Sequence, residues 1–109
     1  MAYDDELAQR IRKLLARKRG VTEQHMFGGF CFLLYGNMVA GVGKGNLMIR
    51  VGPVALADAL AKPHARPMTF TGRPLKTMVY VGRKGCATAA TLRTWLERGL
   101  KYGATLPRK

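Results

Sequence analysis

MFGGFCFLLYGNMVAGVGKGNLMIRVG, residues 26–52, is the stretch whose reading decides the fold. Its apolar residues come in short runs separated by glycine, or by glycine beside asparagine, which is the punctuation of an antiparallel β-meander. Phe30 to Tyr35 is apolar at successive positions and reads as a central strand covered on both sides. Gly36-Asn37 reads as a two-residue hairpin turn with glycine at its first central position, and Met38 to Gly43 as the returning strand. Lys44-Gly45-Asn46 turns the chain again into a strand from Leu47 to Val51. Period-2 alternation places Leu47, Ile49 and Val51 on one face of that strand and Met48 with Arg50 on the other. Upstream, Val21 to Phe27 alternates with polar residues and reads as the first strand, with Gly28 and Gly29 breaking it from the second.

Working outward, residues 4–18 repeat apolar groups at Leu7, Ile11, Leu14 and Leu15, the stripe of an amphipathic helix. Asp4, Asp5 and Glu6 open it, and Arg17, Lys18 and Arg19 close it before Gly20, an order that suits the helix macrodipole and a glycine stop. Downstream, Pro53 to Ala61 is expected to form a short helix with proline in its first turn. Lys62 to Pro74, with three prolines and a glycine, reads as a loop with local turns. Lys76 to Gly82 reads as a fifth strand, Arg83-Lys84-Gly85 as its turn, and Thr88 as the N-cap of a last helix reaching Tyr102. The final LPRK is expected to fray. The α-β-β-β-β-α-β-α order implies an α+β fold in which an antiparallel sheet of about five strands packs in two layers against helices. One domain over residues 1–109 suits the length.

Charge is the main compositional signal: 19 Lys and Arg against 6 Asp and Glu leave a net +13. Residues 44–109 hold thirteen of the cations against Asp58 and Glu97 alone. A field of this size attracts nucleic acid or an acidic protein, so DNA, RNA and an acidic partner are the expected binding classes, with a homodimer as the alternative. No apolar run approaches the roughly 20 residues of a membrane span, and the acidic N-terminus is unlike a secretory signal. A cytoplasmic protein with both cysteines reduced, and no membrane partner, is expected.

Catalytic patterns are sparse. Gly41 to Asn46 lacks the Gly-Lys-Ser/Thr ending of a phosphate loop, and serine is absent altogether. His25 and His64 have no acids or cysteines at ligand spacing. Glu23 and His25 form the one local acid–imidazole pair, on a strand expected to be exposed. Cys31 falls in the most apolar strand, and Cys86 follows a basic turn that would favour its thiolate. No catalytic residue, metal or cofactor is therefore expected, and the chain reads as a binding module, with an enzyme acting on a small anion the remote alternative.

Several strings together resemble the N-terminal domain of the TfoX/Sxy competence-regulator family: MFGG at Met26, Phe27, Gly28 and Gly29, GNM from Gly36 and Asn37, LMIRVG at 47–52, RPM at 66–68, and FTGRPL at 70–75 with Gly72 and Pro74. The opening AYDDELAQRIRKLL and the last helix with Trp95 also fit. The resemblance implies a secretion-chaperone-like α+β domain linked to transcriptional control of DNA uptake. Such domains precede a separate C-terminal domain in longer members, and this chain is expected to be the stand-alone form. Arg50 and Arg73 are the cations embedded in the two family-like motifs, and they are expected to converge on an anion site. Lys76, Arg83 and Lys84 complete the expected binding set.

Overall fold

A computed structural model describes residues 5–26, 29–43, 46–70 and 72–109, with the side chains of residues 5, 26, 70 and 73–75 outside that description. The expected roles of Phe27 and Gly28 at the first break, and of Lys44 and Gly45 in the second turn, therefore lie outside the described residues. The elements are α1 (Asp5–Leu15), β1 (Val21–Met26), β2 (Gly29–Leu34), β3 (Asn37–Val42), β4 (Asn46–Arg50), α2 (Leu56–Leu60), β5 (Ala65–Phe70), β6 (Arg73–Gly82) and α3 (Ala89–Gly103), with a 3-10 turn over Arg83–Cys86. All strand pairs are antiparallel, in the order β1-β2-β3-β4-β6-β5. The α+β architecture is as expected, with six strands in place of about five.

Alternation decides which side chains meet the helices. Leu47 pairs with Val81 and Ile49 with Val79, and these four join Phe30, Phe32, Val42 and Leu7, Ile11, Leu92, Trp95 and Leu96 in one core. Met48 lies opposite Tyr80 and Arg50 opposite Met78, so these belong to the other face of the sheet. A register shift beside Phe32 and Leu33 leaves Val39 as the extra residue of β3, a β-bulge. α3 lies directly over that bulge: a Cβ on Gly99 would stand 2.5 Å from the Val39 carbonyl oxygen.

The segment read as a proline-rich loop contains β5, because Pro67 lies in an edge strand with a register shift, where a missing N–H costs no ladder bond. Lys76 to Gly82 consequently belongs to a strand in the interior of the sheet, between β4 and β5. The β2–β3 turn is centred on Tyr35 and Gly36, whose φ values of 48° and 87° are the paired positive angles of a type I′ turn, and Leu34 pairs with Asn37. Asn37 is thereby freed for another role: buried at 3 % exposure, its side-chain amide donates to the Pro107 carbonyl at 2.9 Å.

The C-terminus is accordingly tied down, not frayed. Lys109 N–H donates to the Tyr35 carbonyl at 2.9 Å, and the Arg108 guanidinium lies 3.7 Å from the centre of the Tyr35 ring. Elsewhere the local signals hold closely. Thr88 caps α3 through a reciprocal arrangement with Thr91, each side chain meeting the other's backbone N–H at 3.1–3.2 Å. α2 forms over five residues only, after a turn at Pro53–Ala55.

Candidate nucleic-acid interface

The cations outnumber the carboxylates so heavily that the surface stays positive after every available pairing. Arg12 pairs with Glu23, Arg83 with Glu6 at 4.0 Å, and Arg98 with Asp58 at 3.0 Å. Arg12 also lies 4.8 Å from the Phe30 ring centre, so Glu23 is held by α1, and His25 stands edge-on to Phe30 at 4.7 Å. Lys62, Arg66, Lys76, Arg83 and Lys84 are all exposed.

The expected Arg50–Arg73 pair is distributed along the sheet. Arg50 is half-buried with its guanidinium 5.6 Å from the Tyr102 ring centre, and its backbone position opposes Met78. Arg73 starts β6 beside Phe70, five residues before Met78, about 17 Å away at the rise of an extended strand. Their backbone positions are not brought together, and the Arg73 side chain lies outside the description. Lys76 is exposed on the same strand, beyond the end of β4. Gly72 occupies the β5–β6 turn at φ 78°, and Pro74 opposes Thr69. Met26 pairs with Gly29, whose Cβ position is blocked by the Val42 carbonyl oxygen.

Lys84 is brought together with cations that sequence reasoning did not select. It lines a cleft of about 270 Å³ with Lys62, His64, Gly85, Trp95 and Arg98, where the α2–β5 connection, the 3-10 turn and α3 meet. Arg98 is fixed there by Asp58 and by the Trp95 ring, 5.3 Å from its guanidinium. Lys62 and Arg98 are 36 positions apart in the chain, so no spacing rule could have joined them; the left-handed φ of 68° at His64 is likewise invisible before folding. Both thiols are buried, at 0 and 1 % exposure, and burial pushes the Cys31 thiol above its ordinary pKa. Cys86 donates weakly to the Gly82 carbonyl at 3.6 Å and is an inward-facing packing residue despite the basic turn before it.

With sheet order, bulge and helix packing established, comparison with family profiles is decisive at the level of class: the TfoX N-terminal domain profile matches residues 13–102. The chain belongs to the TfoX N-terminal domain family. Neither the curated proteins nor the solved structures gave a match. No helix among the described residues is long and apolar enough to cross a membrane.

Proposed function

We propose that this domain is a cytoplasmic, non-enzymatic regulatory module that contacts nucleic acid through the basic surface of its second half, serving the transcriptional control that the family resemblance implies. The observation carrying this reading is the charge imbalance in its three-dimensional setting. Glu6, Glu23 and Asp58 are already matched to Arg83, Arg12 and Arg98, so Lys62, Arg66, Lys76 and Lys84 present their charge outward. Phosphate backbones meet such a surface by releasing counterions, without needing a base-reading helix. The non-enzymatic part is supported by the buried thiols, the lack of serine and the engagement of Glu23 with Arg12.

The test is retention on duplex DNA and on single-stranded RNA across a salt series. Log affinity should fall linearly with log salt, with a slope of about −0.9 per phosphate contact on duplex. A flat response, or no retention at low salt, refutes the reading. An acidic protein run in parallel distinguishes a protein partner, which is the competing outcome.

A further inference from the structure

We propose that the cleft between the α2–β5 connection, the 3-10 turn and α3 is a nucleotide-phosphate site, taking one nucleotide with its phosphate set against Lys62 and Lys84. This deepens the nucleic-acid reading and rests on it for the strand-bound form of the ligand. The chemistry of the lining points to the ligand class. Three cations, Lys62, Lys84 and Arg98, face the cleft, and no carboxylate is among its lining residues that the structure describes. Arg98 is balanced by Asp58, whereas neither Lys62 nor Lys84 has a carboxylate partner among the described residues. Two uncompensated ammonium groups match one phosphate dianion. The remaining wall is largely apolar, from Trp95, Pro63 and Gly85, which suits a ligand with a flat apolar body attached to its charge. The volume of about 270 Å³, just below the roughly 300–1,000 Å³ of pockets for drug-sized ligands, limits the cleft to no more than a single nucleotide.

The cleft is also built in advance. His64 holds φ 68°, a left-handed conformation that few non-glycine residues adopt, and its carbonyl accepts the Gly82 N–H at 3.0 Å. That bond fastens the Pro63–His64 corner to the end of β6, immediately before the 3-10 turn. Gly85 lets the two segments touch: a Cβ there would stand 2.9 Å from the His64 Cβ and 2.8 Å from Val81 Cγ1. Lys62 and Lys84, 22 positions apart in sequence, are thus held on one cleft by backbone contacts that do not depend on a ligand. Arg98 is held from below by the Trp95 ring. Fixing the backbone that carries the two lysines before binding removes part of the ordering cost, leaving only that of their side chains.

The experiment titrates the full chain with adenosine 5′-monophosphate, adenosine, inorganic phosphate and a single-stranded oligonucleotide, following amide shifts by NMR. Two double variants are compared, Lys62→Ala with Lys84→Ala, and Arg17→Ala with Lys18→Ala. Both pairs are exposed, so folding should survive, and each removes two charges. The expected result is perturbation of residues 62–64, 84–85 and 94–98 by the monophosphate, with affinity about tenfold weaker in the Lys62/Lys84 variant and unchanged in the Arg17/Lys18 variant. Adenosine and inorganic phosphate should each bind more weakly than the monophosphate. Tighter binding of the oligonucleotide at the same residues assigns the site to a strand; equal binding assigns it to the free nucleotide. Equal losses in the two variants, shifts away from the cleft, or inorganic phosphate binding as tightly as the nucleotide would overturn the proposal. Failure of the two readings is separable. Salt-dependent duplex retention by the wild-type chain, without any binding of the monophosphate, removes the cleft and leaves the basic surface. Monophosphate binding without retention of any nucleic acid does the reverse.

Discussion

Gly99 and Gly41 both make room for a neighbour, but the neighbours differ in kind. The Cβ of an alanine at 99 would meet the Val39 carbonyl oxygen at 2.5 Å, and that carbonyl belongs to a bulged strand that cannot move without shifting the sheet. At 41 the nearest atoms are the Met48 and Met38 methyl carbons, at 2.8 and 3.0 Å, which are the free ends of flexible chains. Gly99→Ala should therefore destabilise by about 1–3 kcal/mol through overpacking, exceeding the gain of about 1 kcal/mol that alanine brings to a helix interior. Gly41→Ala should stay within about 1 kcal/mol of the parent, since glycine is itself unfavourable in a strand by about that much. Urea denaturation of both variants checks this, and a Gly99→Ala protein as stable as the parent would mean that α3 does not press on the bulge.

At the scale of elements, the C-terminal latch shows where local reading reaches its limit. α3 was legible because its cap, its apolar stripe and its length all act within one segment, and Thr88 does what a threonine before a helix does. Asn37 and the tail were not, because glycine-asparagine carries a strong hairpin signal of its own, and the burial of Asn37 comes from residues 70 positions away. β5 was obscured by Pro67, whose cost vanishes only on a sheet edge, a fact of sheet order and not of sequence. The cleft was less legible still: Lys84 stood out for its basic turn, while Lys62, His64 and Arg98 acquire meaning only from tertiary contact. The latch gives a direct test. Removing the Asn37 amide by Asn37→Ala leaves the Pro107 carbonyl without its donor and should cost about 1–2 kcal/mol. Deleting residues 107–109 should cost a similar amount, and the two changes combined should cost less than their sum, because they remove the same contact. Full additivity, or a deletion without effect on the thermal midpoint, would return the tail to a frayed state.

For the whole molecule the governing fact is a charge of +13 confined to a body about 32 × 31 × 28 Å. The Debye length is about 30 Å at 0.01 M salt, so every cation then acts on every other; at 0.15 M it is about 8 Å, and only neighbours interact. Unfolding spreads the charges, since the radius of gyration of 12.6 Å would grow to about 30 Å in an unfolded chain of this length. The folded state therefore bears the greater self-repulsion, and screening relieves it preferentially. Among the described residues the opposing ion pairs, Arg12–Glu23, Arg98–Asp58 and Arg83–Glu6, are all at least partly exposed, each worth about 0–1 kcal/mol at most. Raising sodium chloride from 10 to 300 mM should accordingly raise the thermal midpoint by several degrees, at about 4–8 °C per kcal/mol for a domain of this size. Scanning calorimetry over that series reads the sign directly, and a midpoint that falls would mean that ion pairs outweigh repulsion. The sign matters for function, because the same salt is expected to weaken binding to nucleic acid while strengthening the fold. Loss of retention in a range where the midpoint rises can only be loss of the phosphate contacts themselves.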